Sequence, residues 1–383
     1  MPPTVELPPW LWPRAAYVHV PFCAHHCGYC DFAIAVGQDS SIDLYLEALA
    51  AEIATLGSPQ PVQTIFLGGG TPTHLKAAQL ELLLSTLLHW LPLQANGEFS
   101  IDANPDSLDL DKIRVLADHG VTRVSLGAQS FSPTVLRALD RQHRPEETPH
   151  AVERVRSRIE HVSIDLIFGA PGQTLIEWRE DLTKALALEP DHISTYGLTY
   201  EKGTPLWKQR ERGDIKSLDE ETELTMYQTA IDVLEAAGFE HYEISNFGRP
   251  AHHCRHNEVY WANEAYFGFG MGAARYVMGR RELNTRDLKT YMRRVLSGEA
   301  ATFQSEELEP LERARETMAV QLRRTSGIER EAFRLQTEYA LDEIAGEKVR
   351  SLVLQGLLAD DGNRVCLTLQ GKYVADAVIE QLL

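Results

Sequence analysis

Short apolar runs alternate with stretches of helical periodicity from about residue 15 to about residue 200. Six of these runs have the length and apolar content of buried strands, at residues 17–20, 64–67, 98–102, 123–126, 162–168 and 192–198. Between the first two, apolar side chains at steps of three and four predict a helix over 42–56 that Ser40 or Ser41 caps. A Leu-rich helix is predicted over 76–91. This alternation predicts an α/β fold with a parallel sheet and right-handed crossovers.

Six βα units close only part of a barrel, so we predict a partial (β/α)6 barrel of the TIM type. In such barrels the chemistry lies on the loops after the carboxyl ends of the strands. Polar or glycine-rich residues occupy that position after or within every predicted strand: the cysteine loop 23–30, the glycine run 68–70, Asp102, Gln129, Asp165 and Thr199. Agreement over six strands in chain order predicts a functional site at this end of the barrel.

The alternation stops beyond residue 200. An amphipathic helix is predicted over 219–237 with Gly238 as its end, and residues 241–280 are rich in aromatic residues, His, Asn and Gly. The last stretch has the pattern of a helix, a hairpin turning at 361–363 and a final helix, which resembles a winged-helix unit. We therefore predict four parts: an N-terminal extension (1–14), the barrel (15–205), a region covering the barrel (206–300) and a smaller C-terminal α+β domain (301–383).

Composition and charge narrow the class of protein. The chain has 383 residues, 44% of them hydrophobic, which is enough for one large domain and one or two smaller ones. A formal charge of −18 disfavours nucleic acid as a partner and electrostatic docking on anionic lipid. The first residues lack the basic-then-apolar order of a signal peptide, and no apolar run approaches the ~20 residues of a membrane span. The expected location is the cytoplasm.

Three cysteines stand close together as Cys23-x3-Cys27-x2-Cys30, just after the first predicted strand. Three thiolates bind three corners of a 4Fe–4S cluster and leave the fourth iron open to a ligand that is not protein. The alternatives are a zinc site completed by His25 or His26, and unrelated buried thiols. A disulfide framework does not suit a long chain with five cysteines. The spacing favours the open cluster.

The other polar residues at the strand ends suit one kind of ligand. The glycine run is no phosphate loop, because no Lys follows it in the required position, but it lets the backbone approach a ligand closely. Asp102 and Asp165 can accept hydrogen bonds from ribose hydroxyls or an ammonium, and Arg141 can pair with a carboxylate. Each of these residues alone is more often a structural polar residue. Together, with Gln129, they describe a pocket for a nucleoside that carries an amino acid, such as S-adenosylmethionine.

Longer motifs carry a family resemblance: the cysteine spacing, Gly-Gly-Gly-Thr-Pro at 68–72, Ser-Leu-Gly-Ala-Gln-Ser-Phe at 125–131 and Ile-Asp-Leu-Ile-Phe-Gly-Ala-Pro-Gly-Gln-Thr at 164–174. With them the chain resembles the radical S-adenosylmethionine superfamily from about residue 15 to its C-terminus. Within the superfamily it is similar to the branch that holds the oxygen-independent coproporphyrinogen III dehydrogenases and the HemW-type heme chaperones.

The resemblance implies cofactors, a partner and site residues. Cys23, Cys27 and Cys30 would hold the 4Fe–4S cluster, and an electron donor would reduce it. The implied S-adenosylmethionine pocket consists of Tyr17, Tyr29, Gly69, Gly70, Thr71, Asp102, Gln129, Arg141, Asp165, Thr199 and Ala274. The family usually has Glu where this chain has Asp102, so the contact here is expected to be looser or bridged by water. Cys254 and Cys366 are expected to take no part.

Further positions separate the two subfamilies. The dehydrogenases carry a fourth cysteine two residues after the third, where this chain has Phe32, and a longer segment before the cluster. Two stretches favour the chaperones instead. Residues 255–261 match their H-N-x-x-Y-W element, and residues 242–247 match the stretch upstream of it. The resemblance implies His256 as a heme iron ligand, with Asn257 and Tyr260 beside it. From the residues alone, a hydrogen-bonded cluster in the core remains an alternative.

We therefore predict a heme chaperone that binds heme and transfers it to apo-hemoproteins, with respiratory proteins among the candidate recipients. One alternative is the oxidative decarboxylation of coproporphyrinogen III to protoporphyrinogen IX. Another is a structural zinc protein that has lost a catalytic role.

Overall fold

The computed structural model describes residues 7–383. The prediction that the chain has no leader concerns residues 1–6, which lie outside the described residues. Part of the predicted N-terminal extension lies there too. The strands are β1 Ala15–Val20, β2 Phe22–Cys23, β3 Ala35–Val36, β4 Val62–Gly69, β5 Leu93–Ala103, β6 Arg123–Gln129, β7 His161–Phe168, β8 His192–Gly197, β9 Glu240–Glu243, β10 Asn246–Gly248, β11 Phe267–Phe269, β12 Ala274–Val277, β13 Arg280–Asn284, β14 Thr302–Glu307, β15 Ile328–Glu329, β16 Leu358–Asp360 and β17 Arg364–Leu367. The helices are α1 Ile42–Ala54, α2 Ala77–Trp90, α3 Leu110–Asp118, α4 Pro133–Ala138, α5 Glu147–Arg156, α6 Leu175–Ala187, α7 Pro205–Glu211, α8 Glu220–Ala236, α9 Arg255–Trp261, α10 Leu288–Leu296, α11 Pro310–Gln321, α12 Arg330–Thr337, α13 Leu341–Leu354, α14 Leu369–Tyr373 and α15 Ala375–Leu382.

A nine-stranded sheet forms the centre of the fold, in the order β11-β1-β4-β5-β6-β7-β8-β10-β9. The six predicted strands correspond to β1, β4, β5, β6, β7 and β8, which are consecutive neighbours and pair in parallel. The predicted α/β class with a partial barrel is confirmed. Because all six strands run the same way, their carboxyl ends meet at one edge, where the polar residues were expected.

Both edges of the sheet carry strands that the periodicity did not predict. β11 pairs in parallel with β1, and β10 and β9 extend the other edge in antiparallel fashion. Each of these strands has only three or four residues, too few to show a period. A close approach also shapes β11, since a Cβ on Gly268 would lie 1.8 Å from the carbonyl oxygen of Ala274.

The first helix begins differently from the prediction. Ser41 stands at the N-cap of α1, but its side chain makes no capping hydrogen bond, so the predicted cap is wrong. Its backbone is already helical, with φ −96° and ψ −4°, which turns the hydroxyl away from the free N–H groups. The N-cap of α8, by contrast, is formed by a side chain, because Asp219 accepts from the backbone N–H of Thr222.

A buried carboxylate joins α1 to the edge of the barrel. Glu52 accepts from the backbone N–H of Gly270 at 2.7 Å, from Asn284 Nδ2 at 2.7 Å and from the Tyr291 hydroxyl at 2.6 Å. These partners follow β11, end β13 and lie in α10. Burial raises the pKa of Glu52, and the three donors oppose that effect. The bonds connect the unpredicted edge of the sheet to the predicted helix.

The C-terminal region has a hydrophobic core of its own, which begins at Ala314 and ends at Leu382. Its small antiparallel sheet has the order β15-β17-β16, with the hairpin turn at the predicted position. The predicted last helix is divided into α14 and α15 at Val374. β14 pairs with β13, so strand residues on both sides of position 300 belong to one sheet. The boundaries of the four proposed parts remain predictions.

Of the helices within residues 7–383, none is both long enough and apolar enough to pass through a bilayer.

Candidate functional site

A cavity of about 650 Å³ opens at the carboxyl ends of the parallel strands. Its wall is built from the loops that follow the strands and from side chains on the strands themselves. The predicted residues that line it are Cys23, Cys27, Tyr29, Cys30, Gly69, Gly70, Thr71, Asp102, Gln129, Arg141, Asp165, Thr199 and Asn257. Residues far apart in sequence therefore meet in one space.

The cysteine loop is attached to the barrel through its backbone. The N–H of Gly28 donates to the carbonyl of Leu139 at 3.2 Å, and the N–H of Leu206 donates to the carbonyl of Gly28 at 2.8 Å. A Cβ on Gly28 would lie 3.0 Å from Leu206 Cγ, so this contact favours glycine. Both flanking cysteines, Cys27 and Cys30, thereby face the cavity.

Two of the three thiols contact groups that can donate hydrogen bonds to a thiolate. Cys23 Sγ is 3.4 Å from the Thr71 hydroxyl, and Arg141 Nη1 donates to Cys27 Sγ at 3.3 Å. Burial raises the pKa of the Cys23 thiol and raises that of Cys30 to about 11. Without a metal, the thiols of Cys23 and Cys30 stay protonated at neutral pH, whereas coordination to iron holds thiols as thiolates.

The two histidines of the loop contact groups other than the thiols. His25 Nε2 lies 3.2 Å from the Asp140 carboxylate, and His26 Nε2 lies 3.0 Å from the carbonyl oxygen of Cys30. His25 also lines the cavity beside the cysteines. The positions of these histidines therefore leave the zinc alternative open.

Two carboxyl groups face the cavity from neighbouring parts of the sheet. Asp165 accepts from the Ser125 hydroxyl, which lies 3.0 Å from both carboxylate oxygens. Burial raises the pKa of Asp165 to about 6, with hydrogen bonds from Ser194 and Ser125 opposing it. Burial also raises the pKa of Asp102 well above its usual range, and the charge of Asp165 adds to this. A cationic ligand would offset both effects, and S-adenosylmethionine carries a sulfonium and an ammonium.

Polar atoms without partners mark the same cavity. Among the described residues, Gln129 Oε1 and Arg141 Nε are buried and have no hydrogen-bond partner. Arg141 Nη2 is fixed by Asn104 Oδ1 and the Gly127 carbonyl, both at 2.8 Å. Gln129 has a φ of 61°, a conformation rare for a residue with a side chain. Buried polar atoms without partners, on the fixed side chain of Arg141 and on the strained Gln129, are typical of a site that a polar ligand completes.

The remaining residues implied for the S-adenosylmethionine pocket lie in different places. Tyr17 is on β1 and donates from its hydroxyl to His19 Nδ1 at 3.0 Å; it faces Asp102 across Gly68. Ala274 begins β12, outside the nine-stranded sheet, and it does not line the cavity. The roles of all the implied residues stay predictions.

His256 belongs to a closed hydrogen-bonded cluster in this structure. Its Nδ1 is 2.8 Å from the Thr64 hydroxyl and its Nε2 is 2.9 Å from the Tyr260 hydroxyl. The side chain is 1% exposed, and burial lowers its pKa to about 3. Of the three residues implied for heme, Asn257 alone lines the cavity. Heme ligation by His256 therefore stays a prediction, and it requires this cluster to open.

A buried ion pair holds the chain in front of α9. Arg123 Nη2 lies 3.4 Å from Glu98 and donates to the carbonyls of His252 and His253, both at 3.1 Å. Glu98 in turn accepts from the backbone N–H groups of Arg255 and His256. Together they fix the start of α9 below the cavity, a role that the sequence pattern did not suggest.

Several cavity residues escaped the sequence reasoning, among them Asn104, Ser125 and Tyr196. Asn104 lies two residues after Asp102, directly after the end of β5, so the strand-end rule applied to it as well. Ser125 lies inside a strand, and only the direction of its side chain toward Asp165 gives it a place in the site. Phe32 is 68% exposed at the mouth of the cavity, next to the cysteines.

Comparison with known proteins agrees with this geometry. Residues 17–185 match the family described as the Radical SAM superfamily, and residues 308–374 match the HemN C-terminal domain. The chain is 36% identical over 372 residues to the heme chaperone HemW of Lactococcus lactis, with 97% of both chains covered. The protein of the same name from Bacillus subtilis is 36% identical over 376 residues, which cover 97% of this chain and 99% of the relative. The chain belongs to the HemW family.

A solved structure of coproporphyrinogen III oxidase (HemN) from Escherichia coli is similar in fold, with a TM-score of 0.84 and 24% identity over 98% of this chain and 90% of that one. The predicted family resemblance is confirmed. Membership of the HemW family and the radical SAM superfamily implies a 4Fe–4S cluster and S-adenosylmethionine as cofactors. The three thiols, the two carboxyl groups and the unpartnered polar atoms fit them.

Because His256 is buried, the free energy of unfolding should depend on pH. Its pKa is about 3 in the folded chain, while an imidazole in the unfolded chain has a pKa of about 6.5. Between these values the unfolded chain binds the extra proton, so stability is lost as the pH falls through this window. We expect the unfolding free energy of His256→Phe to vary less with pH than that of the wild type, by up to about 1.4 kcal/mol per pH unit.

Urea denaturation at several values from neutral to mildly acidic pH measures both slopes. The exposed His150 provides a control, since His150→Phe should leave the wild-type slope unchanged. Equal slopes for the wild type and His256→Phe would contradict the prediction.

Proposed function

We propose that this protein is a heme chaperone, which binds heme and transfers it to apo-hemoproteins. The observation that carries the proposal is the 36% identity to proteins named heme chaperone HemW over nearly the full length of both chains. Phe32, at the position where the dehydrogenase pattern has a fourth cysteine, supports the same choice. The fold itself does not discriminate, because it is shared with an oxidase.

Different residues of the cavity would bind the two cofactors. Cys23, Cys27 and Cys30 would hold the cluster, with Arg141 donating to one of the thiolates. Backbone groups of 69–71 would bind the amino-acid part of S-adenosylmethionine, and the two buried carboxylates would offset its positive charges. When bound, the cluster and S-adenosylmethionine together supply one-electron chemistry at the sulfonium. The chain's share would be to orient the ligand and to keep water from it.

Heme binding is proposed to involve the segment around α9. Asn257 reaches the cavity, while His256 is covered by Thr64 and Tyr260. Neutral imidazole is a common iron ligand, and the low pKa of His256 keeps it neutral at physiological pH. Ligation would need one of its two hydrogen bonds to break, so heme uptake through His256 would be coupled to a movement of α9.

The proposal also includes the protein's partners and its location in the cell. The recipients would be apo-hemoproteins, respiratory ones among them, and a separate protein or small reductant would deliver electrons to the cluster. A location in the cytoplasm would suit three thiols that must stay reduced, since cytosolic thiols are kept from forming disulfides.

One anaerobic assay tests the function directly. The cluster-loaded protein is offered heme and coproporphyrinogen III side by side, with S-adenosylmethionine and a reductant. We expect a stoichiometric shift of the Soret band on titration with heme, and no protoporphyrinogen. His256→Ala should weaken the heme shift, and a melting curve of the same variant tells a lost ligand from a lost fold. Robust protoporphyrinogen formation would overturn the chaperone proposal in favour of coproporphyrinogen oxidation.

A further inference from the structure

A second group of ligating side chains lies at the other end of the barrel. His161 is the first residue of β7, Asp191 directly precedes β8, and His252 lies in the loop between β10 and α9. The cysteines, by contrast, follow the carboxyl end of β1. The three side chains are 19–30% exposed, so an ion and water can reach them.

The ligand atoms of this group lie close together but do not form hydrogen bonds with one another. His161 Nδ1 and His252 Nδ1 each lie 3.8 Å from Asp191 Oδ1, and all three atoms lie within 4.8 Å of one another. A separation of 3.8 Å is too long for a hydrogen bond. His161 Nδ1 is buried and has no hydrogen-bond partner within the part of the chain that the structure describes. The two rings stand at 71° with centroids 4.8 Å apart, so they do not stack.

These separations are close to those that a metal ion imposes. Around a tetrahedral zinc ion with bonds of about 2.0–2.1 Å, ligand atoms stand roughly 3.4 Å apart. Each nitrogen-to-oxygen distance therefore has to shorten by about 0.4 Å, and the separation of the third pair, at most 4.8 Å, by up to about 1.4 Å. The side chains are partly exposed, so rotation of the two imidazoles would bring the ligand atoms together.

The carboxylate is oriented for this task. Asp191 Oδ2 accepts from the backbone N–H of Val162 at 2.9 Å, which leaves Oδ1 toward the two imidazoles. A carboxylate held by a second partner in this way is typical of metal sites. Burial opposes its charge, but the Val162 N–H and the neighbouring histidines outweigh burial and hold the pKa of Asp191 below its usual value. It is an anion at neutral pH.

We propose that His161, Asp191 and His252 bind a divalent transition-metal ion of the zinc class, with water completing its coordination. Two imidazoles and one carboxylate are a donor set that suits Zn²⁺ and Fe²⁺ and is a poor one for Mg²⁺ or Ca²⁺. The ion would fasten the loop that carries His252 to the starts of β7 and β8. That loop leads to Cys254 and Asn257, which line the cofactor cavity. The ion would therefore act by positioning the loop that carries His252 and leads to the cavity.

The experiment uses cluster-loaded protein, so that the cysteines are occupied and cannot take up zinc. Wild type, His252→Ala and Asp191→Asn are equilibrated anaerobically with Zn²⁺, desalted, and analysed for zinc and iron together, with calorimetric titration in parallel. We expect one zinc per wild-type chain and more than tenfold weaker binding in both variants. We also expect Zn²⁺ to raise the melting temperature of the wild type and to leave that of the variants unchanged.

A neighbouring histidine serves as the matched control. His253 pairs with Glu240 and Glu258 and takes no part in the triad, so His253→Ala should bind zinc like the wild type. Asp191→Asn guards against misfolding, since an asparagine oxygen can still accept from Val162 N–H. Equal zinc uptake by the wild type and both triad variants, or no uptake by the wild type with its iron intact, overturns the site.

Discussion

Cys27→Ser is expected to lose the 4Fe–4S cluster completely, with iron and sulfide falling from about four of each per chain to background. Cys27 faces the cavity between two other thiols and accepts a hydrogen bond from Arg141. A serine hydroxyl does not ionise at neutral pH and is a poor ligand for iron, so one corner of the cluster would lose its ligand. Anaerobic reconstitution followed by iron and sulfide analysis measures the loss.

Cys254→Ser and Cys366→Ser are the matched controls. Cys254 is the sharper one, because it lines the same cavity but is 3% exposed and lies beside Glu98, with its Sγ 3.5 Å from a carboxylate oxygen. Cys366 lies on β17 in the C-terminal region. Both variants should reconstitute fully. A cluster that survives in Cys27→Ser, or that disappears in Cys254→Ser, would show that the ligands are assigned incorrectly.

Asp165→Ala is expected to weaken S-adenosylmethionine binding by about 10- to 150-fold, since a lost charge-assisted hydrogen bond costs about 1.5–3 kcal/mol. Asp165 is buried at the cavity wall and is oriented by Ser125. Arg141→Ala should weaken binding to a similar extent, because Arg141 lines the same cavity and its buried Nε has no hydrogen-bond partner among the described residues. Calorimetry on cluster-loaded protein gives the affinities.

Asp219→Asn tests whether the effect comes from the site or from overall charge. It removes one negative charge at the N-cap of α8, where asparagine caps as well as aspartate, and it lies outside the cavity. Its affinity should equal that of the wild type. Wild-type affinity in both Asp165→Ala and Arg141→Ala, with iron content unchanged, would refute the pocket as described.

Much of the barrel and of its site follows from local sequence. β4, β6 and β7 are apolar runs bounded by glycine or polar residues, and their alternation with helices predicts a parallel sheet. Parallel strands bring their carboxyl ends together, so residues as distant as Thr71, Asp102 and Asp165 could be assigned to one cavity before any contact was known. The spacing of the three cysteines already favoured the cluster over a zinc site, because one short loop would supply three ligands and leave the fourth iron open.

Other features depend on pairings between distant segments, which no local period encodes. β11 joins β1 across most of the chain, and its three residues show no strand pattern. The closed state of His256 depends on Thr64, a residue of β4 that only the packing of α9 brings near. His161, Asp191 and His252 look unrelated along the sequence and meet only because β7 and β8 are neighbours and the loop before α9 folds under them. Sequence alone predicted the six parallel strands, their order and a loop suited to cluster ligands, whereas tertiary packing decided which side chains are covered and which converge.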